Sequence, residues 1–153
     1  MPPKHLSEDL LAKALSKRRR NLMTPKRILI IDDEASFTRM VKLSLERNGP
    51  YEVHIETVAT KALEAARRVK PDMIFVDVVM PEMDGGDVVS QFQADHELRN
   101  TPVAMLTAAV TCQEVASSGG SIGGRVYLAK PVCTMAIIDC IERSLRATTT
   151  SPP

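Results

Sequence analysis

Three aspartates, a threonine and a lysine each follow a short apolar run in this chain of 153 residues: Asp32, Asp33, Asp77, Thr107 and Lys130. Clustered carboxylates repel one another, and a hard divalent cation or an ammonium group relieves that repulsion. Mg²⁺ prefers oxygen ligands such as carboxylates and keeps several waters. A carboxylate nucleophile beside Mg²⁺, a hydroxyl and an ammonium is suited to hold a phosphoryl group. These five residues are the candidate site, provided that the fold brings them together.

The apolar patterning predicts the elements that would position these residues. Continuous or alternating apolar runs predict five strands, at residues 28–31, 53–58, 73–76, 102–106 and 126–129. Apolar residues at helical spacing predict helices at residues 35–48, 62–69, 88–94, 111–117 and 135–145. Alternating strands and helices indicate a parallel sheet covered on both faces, with ligands bound beyond the carboxyl ends of its strands. The candidate residues are expected to meet at that edge.

Four motifs give the chain a resemblance to a known family. They are Ile30-Ile31-Asp32-Asp33-Glu34, Asp77 through Gly85, Leu106-Thr107-Ala108 and Tyr127-Leu128-Ala129-Lys130-Pro131. In this order and spacing, over about residues 27–146, they resemble the receiver domain of two-component response regulators. The resemblance implies an α/β fold, a doubly wound five-stranded parallel sheet of the flavodoxin or CheY-like type with strand order 2-1-3-4-5.

The resemblance also implies roles for the acidic residues. Asp77 would be the phosphoacceptor and would attack the phosphohistidine of a sensor histidine kinase or a phosphotransfer protein. Asp33 would ligate Mg²⁺ directly and Asp32 through water, with Asp77 and the backbone carbonyl of Val79 as further ligands. The acyl phosphate that forms on a carboxylate is labile, which suits a reversible signal.

The remaining residues would bind and report the phosphoryl group. Lys130 would pair with one phosphoryl oxygen, Thr107 would donate its hydroxyl to another, and the small Ala108 would leave its backbone N–H accessible. Pro131 is expected to follow a cis peptide bond that aims Lys130 into the site. Tyr127 would rotate into the space that Thr107 vacates, which changes the surface offered to partners.

The net charge of +1 conceals two oppositely charged regions. Residues 1–26 contain seven Lys or Arg and two acidic residues, whereas residues 27–153 contain 13 basic and 17 acidic ones. We therefore predict a basic N-terminal arm over 1–26, a receiver domain over 27–146 and a disordered tail over 147–153. A leucine stripe predicts a short helix in the arm, with Ser7 as its N-cap.

Other features receive structural interpretations. Asp84-Gly85 is interpreted as turn chemistry, and the Gly-rich segment 119–124 as a flexible loop, since no Lys-Ser/Thr follows it and it does not open a helix. The spacing of the three cysteines matches no metal-binding pattern, so we interpret them as reduced thiols of a cytosolic protein. Cys133 and Cys140 lie seven residues apart and are predicted to pack on one face of a helix.

The sequence favours a stand-alone receiver in a phosphorelay, a cytoplasmic phosphoprotein that switches protein–protein interactions. It is not expected to be an enzyme beyond self-phosphorylation and slow hydrolysis of the acyl phosphate. No apolar run approaches the ~18 residues of a membrane span. An aromatic content of 3% disfavours folds that stack on bases, and with them nucleic acid as a partner. The alternative is a receiver-regulated binding module whose basic arm contacts nucleic acid or mediates homodimerisation.

Overall fold

The structure is a computed structural model that describes residues 4–108, 121–122 and 125–149. The strands are β1 (Lys26–Ile31), β2 (Tyr51–Glu56), β3 (Met73–Asp77), β4 (Val103–Thr107), β5 (Ser121–Ile122) and β6 (Arg125–Ala129). The helices are α1 (Lys4–Met23), α2 (Ala35–Asn48), α3 (Ala62–Val69, after a 3-10 turn at Ala59–Lys61), α4 (Gly85–Ala94) and α5 (Thr134–Thr149). The helix predicted at 111–117 lies outside the described residues.

One six-stranded sheet organises the fold, in the order β2-β1-β3-β4-β6-β5. Five of the strands are parallel to their neighbours, and with β6 as the fifth of them the predicted order 2-1-3-4-5 is confirmed. The sixth strand, β5, was not predicted and runs antiparallel to β6, pairing Ser121 with Val126 and Ile122 with Arg125. The interpretation of segment 119–124 as loop throughout is therefore wrong at Ser121–Ile122. A strand of two residues is too short to show any periodicity in sequence.

Helices cover both faces of the sheet, and alternate side chains of each strand supply two cores. Ile28 and Ile30 of β1 point to the face covered by α2 and α5, where Phe37 and Ile141 are buried. The next residues along β1, among them Leu29, belong to the core under α3 and α4. All four of the β1 residues 28–31 are fully buried, as the continuous apolar run predicts.

Helices α4 and α5 have boundaries that differ from the predictions. The fourth helix begins at Gly85, three residues before the predicted start, because the Asp84 carboxylate accepts the Asp87 N–H at 2.9 Å and caps it. The last helix continues to Thr149, so the predicted tail is helical over 147–149. The same helix begins at Thr134, which leaves Cys133 exposed before it, and only Cys140 packs in the core as predicted.

The arm contains the predicted helix, but that helix is longer than expected. It spans Lys4–Met23, so the proposed N-cap Ser7 lies within its first turn and the capping prediction is wrong. Helix α1 then passes through Thr24 and Pro25 into β1. Of the helices described, none is long and apolar enough to cross a membrane.

Candidate functional site

The candidate residues meet at the carboxyl edge of the sheet, as predicted. Asp32 and Asp33 directly follow β1, and Asp77 is the last residue of β3. The register aligns Ile31 of β1 with Val76 of β3, so these carboxylates leave neighbouring strands at the same height. The parallel arrangement of the strands is what gathers residues from distant parts of the sequence.

The three aspartates form one acidic cluster. A carboxylate oxygen from each of Asp32, Asp33 and Asp77 lies within 4.8 Å of the other two. Asp32 is fully buried, Asp77 is 7% exposed, and Asp33 is exposed to solvent. Three hard oxygen donors at this spacing, open to water on one side, fit a magnesium ion that keeps some of its waters.

The side chain of Lys130 is largely buried, and its ammonium group lies between the carboxylates of Asp32 and Asp77. Its Nζ lies 2.5 Å from Asp32 Oδ2 and 3.6 Å from Asp77 Oδ1, and 13% of the side chain is exposed. Burial alone would lower the pKa of Lys130, but the hydrogen bond to Asp32 and the charges of the neighbouring carboxylates outweigh it and raise the pKa. Lys130 therefore stays a cation and offsets part of the negative charge of the cluster.

The charged form of Asp77 is disfavoured despite the presence of that cation. Burial is the main cause that raises the pKa of the Asp77 carboxyl to about 6, and the charge of Asp32 adds to it. Lys130 and a hydrogen bond from the Val79 N–H act in the opposite direction without restoring the usual value. The positive charge of Lys130 thus does not fully offset the burial of the Asp77 carboxylate and its repulsion by Asp32, and a divalent cation would supply the remaining positive charge.

Two further residues contact Lys130 and were not singled out from the sequence. The Phe37 ring lies below the ammonium group, with Nζ 4.5 Å from the ring centroid. Glu34 Oε2 lies 4.0 Å from the same nitrogen, and the Glu34 N–H donates to Asp32 Oδ1 at 3.0 Å. Phe37 fits the apolar stripe of α2, so sequence periodicity indicates a core residue and gives no signal of its contact with a cation.

Gly85 has a role at the site that turn chemistry alone does not describe. A Cβ at this position would collide with the backbone carbonyl oxygen of Asp77 and would lie 2.9 Å from Met105 Cε. The Gly85 N–H donates to the Val78 carbonyl at 2.8 Å. The missing side chain therefore lets the start of α4 pack directly against the end of the strand that carries Asp77.

The remaining candidates lie around the cluster. Thr107 is buried, and its carbonyl accepts the Lys130 N–H at 2.8 Å, while Ala108 is exposed. Tyr127 is half-buried and packs against the core under α3 and α4. The Lys130–Pro131 peptide bond is cis, as predicted. The Val79 side chain is exposed, as befits a residue expected to act through its backbone.

Comparisons with known proteins agree with this geometry. A family model described as "Response regulator receiver domain" matches residues 28–142. The curated relatives include the "DNA-binding dual master transcriptional regulator RpaA" of Synechocystis, 32% identical over 82% of this chain and 52% of that protein. The "DNA-binding response regulator MtrA" of Mycobacterium tuberculosis is 31% identical over 83% of this chain and 54% of its own length. The chain thus spans about half the length of the curated relatives it matches.

Solved structures give the same result. The chemotaxis protein CheY4 of Vibrio cholerae has a TM-score of 0.67 and 29% identity, covering 79% of this chain and 99% of that one. The receiver domain of a signal transduction histidine kinase from Syntrophus aciditrophicus also has a TM-score of 0.67, with 27% identity over 83% of this chain and 95% of that one. With the acidic edge, the sheet order and a family model over most of its length in agreement, this chain belongs to the response regulator receiver domain family.

Proposed function

We propose that this chain is a phosphoacceptor switch in which Asp77 receives a phosphoryl group from the phosphohistidine of a sensor histidine kinase or phosphotransfer protein. The observation that carries the proposal is the position of Asp77. A carboxylate oxygen of Asp77 lies within 4.8 Å of an oxygen from each of two further aspartates, and Asp77 Oδ1 lies 3.6 Å from Lys130 Nζ. This constellation suits a nucleophile that must approach an anionic phosphoryl group without prohibitive repulsion.

The transfer needs the Asp77 carboxylate in its ionised form. With a pKa of about 6, most of it is ionised at neutral pH even without a cation. A carboxylate oxygen attacks the phosphorus, the bond from phosphorus to the donor imidazole nitrogen breaks, and its electron pair leaves with the imidazole. Magnesium held by Asp32, Asp33, Asp77 and the Val79 carbonyl would neutralise charge on the phosphoryl oxygens. The protein modifies itself in this reaction and turns over no separate substrate.

The surrounding residues bind the phosphoryl group on Asp77 and change conformation in response to it. Lys130, already 3.6 Å from Asp77, pairs with a phosphoryl oxygen, and the Thr107 hydroxyl and Ala108 N–H bind the others. A shift of Thr107 toward the phosphoryl group frees space that the half-buried Tyr127 ring fills. The switch works because the phosphoryl group contacts one of these two arrangements better than the other.

Mass spectrometry after incubation with acetyl phosphate and Mg²⁺ tests the proposal. We expect the protein to gain one phosphoryl group, and Asp77→Asn to gain none. Asp72→Asn is the matched control, because Asp72 stands just before the same strand at its opposite end, where its carboxylate accepts the Arg27 N–H at 2.8 Å. Equal labelling of Asp77→Asn and the unaltered chain would overturn the assignment.

We further propose that the switch acts in the cytoplasm through protein partners, with phosphorylation controlling which surface is offered. A second output is favoured by the names of the relatives, since RpaA and MtrA are both called DNA-binding. Affinity for DNA, measured at two salt concentrations with and without beryllofluoride, separates the two outputs. Affinity that changes with beryllofluoride favours DNA as an output, whereas weak, state-independent affinity favours protein partners.

A further inference from the structure

Helix α1 presents an apolar face that nothing in the described fold covers. Leu10 is 62% exposed, Leu11 is 60% exposed and Leu15 is 54% exposed. At about 100° per residue these leucines, with Ala14 between them, occupy one sector of the helix about 140° wide. Every other α1 side chain whose burial is described, at residues 8–16 and 19, is exposed as well.

Such a helix gains little stability from itself. The ion pair described within α1 joins Lys13 Nζ to Asp9 Oδ2 at 3.0 Å and is mostly exposed, so it contributes little. Most of the stability of a helix in a protein comes from packing of its apolar face rather than from helix propensity. The leucine face of α1, defined by residues 10, 11, 14 and 15, is therefore expected to have a partner.

The charges along α1 indicate what that partner is. Glu8 and Asp9 stand near its start, whereas Lys17 and the three arginines 18–20 stand near its end. Two parallel copies of the helix would bring the basic ends together. Two antiparallel copies would bring the acidic start of each beside the basic end of the other.

We propose that α1 pairs antiparallel with α1 of a second copy of this chain, through the leucine face. A pair centred on Lys13 sets Leu11 of one helix opposite Leu15 of the other, since these lie two residues to either side of the centre. The same register brings Glu8 to within one residue of the level of Arg19 in the other helix, and both lie at the Leu15 border of the leucine face, about 20° and 40° beyond that leucine. The apolar contact and the charge contact are thus satisfied by one two-fold arrangement, as a self-complementary interface requires.

The arm attaches to the receiver domain away from the acidic edge. It enters the sheet at Lys26, at the beginning of β1, whereas Asp32 follows the end of that strand. The α1 attachment and the phosphoacceptor therefore lie at opposite edges of the sheet. The proposed pair would join the two receiver domains at the edge opposite the phosphoacceptor of each.

Sedimentation equilibrium of the full chain over a range of concentrations tests the pairing. We expect a reversible dimer, and a monomer for the variant Leu11→Glu/Leu15→Glu, with circular dichroism confirming that the receiver domain of the variant still folds. Met40→Glu/Leu43→Glu is the matched control, because both residues are exposed on α2, at 57% and 60%, and it should dimerise like the unaltered chain. A chain that stays monomeric at all concentrations, or that associates only when DNA is added, overturns the proposal.

Two charge variants test the antiparallel direction. The variant Glu8→Lys/Asp9→Lys gives a helix that is basic at both ends, and Arg18→Glu/Arg19→Glu gives one that carries acidic residues both near its start and at the level where Glu8 of the other helix lies. Each alone should dimerise at least tenfold more weakly than the unaltered chain, and an equimolar mixture should recover its affinity. If each variant alone dimerises as well as the unaltered chain, or if the mixture dimerises more tightly than it, the antiparallel arrangement is wrong.

Discussion

Two of the Lys–Asp ion pairs among the described residues have similar distances and differ in every other respect. Lys130 Nζ lies 2.5 Å from Asp32 Oδ2 at the carboxyl edge of the sheet, and Lys13 Nζ lies 3.0 Å from Asp9 Oδ2 on α1. The first pair has 13% and 0% of its side chains exposed, and the second has 73% and 68% exposed. Burial rather than distance separates a pair that the fold depends on from one that it does not.

The two pairs also arise differently. One helical turn brings Lys13 beside Asp9, so local sequence alone creates that pair. The partners Lys130 and Asp32 are 98 residues apart, and only the parallel sheet places them together. Because the Asp32 carboxylate is buried, the stability of the folded state depends on the positive charge of Lys130 beside it.

The largest expected effect follows from removing the buried lysine. Lys130→Met leaves the fully buried Asp32 carboxylate beside Asp77 without its cation. We expect a loss of about 3–4 kcal/mol in the free energy of unfolding at pH 7 in the absence of divalent cations. Urea denaturation with a chelator present measures it.

One further measurement and one contrary outcome test that prediction. Saturating Mg²⁺ should recover part of the lost stability, since positive charge returns to the cluster. A change smaller than ~1 kcal/mol would show that the site is hydrated enough to behave like a surface pair.

The substitution Gly85→Ala should have the next largest effect on stability. The backbone at the start of α4 packs closely against the backbone at the end of β3, so there is no space for a side chain at residue 85. In Gly85→Ala the new methyl group collides with the Asp77 carbonyl oxygen, which cannot move without displacing the strand. We expect a destabilisation of about 2–3 kcal/mol, measured by thermal or urea unfolding. In the control Gly86→Ala, one residue further into α4, the Cβ would lie 3.2 Å from the Asp84 side-chain oxygen and 4.0 Å from Arg125 Nη1, with no backbone atom in its way. That variant should be neutral or slightly more stable, since alanine favours a helix over glycine.

The sequence predicted the architecture of this edge better than its details. Strand ends and helical spacing were enough to place Asp32, Asp77 and Lys130 together, because parallel strands end at a common edge. The contact of Phe37 with Lys130 and the approach of Gly85 to Asp77 could not be predicted. Both contacts depend on how α2 and α4 pack against the sheet. The local sequence around each residue indicates only a core position or a turn.

The arm shows the converse. Its leucine stripe predicted a helix, which the structure confirms at Lys4–Met23, but the boundary and the cap were wrong. Propensity decides the ends of an exposed helix to within a few residues only, since no tertiary contact fixes them. Tertiary packing, by contrast, fixed the buried strands where continuous apolar runs predicted them.

Removing the charge of Asp77 should stabilise the protein in a pH-dependent way. Because the folded-state pKa of about 6 exceeds the ordinary aspartate value of 3.8, ionising Asp77 costs more in the folded than in the unfolded chain. Asp77 therefore contributes a loss of stability as pH rises from about 4 to about 6, and that contribution is absent from Asp77→Asn. We expect the variant to be about 1–2 kcal/mol more stable at pH 7 and equal near pH 3, in urea unfolding without divalent cations. A gain that is as large at pH 3 as at pH 7 would point to packing rather than charge.

The smallest effect on stability is expected from Lys13→Met at the exposed Lys13–Asp9 pair. The same type of substitution, Lys130→Met, is expected to have the largest effect at the buried pair. Lys13→Met removes the partner of Asp9, but both side chains are already hydrated, and methionine retains the helix propensity of lysine. We expect the free energy of unfolding to change by less than ~0.5 kcal/mol, with no dependence on Mg²⁺. Urea unfolding and the helical circular dichroism signal, measured beside Lys130→Met under the same conditions, provide the comparison. A loss at Lys13 approaching that at Lys130 would mean that Lys13 and Asp9, on the side of α1 away from the leucine face, are buried in an interface rather than hydrated.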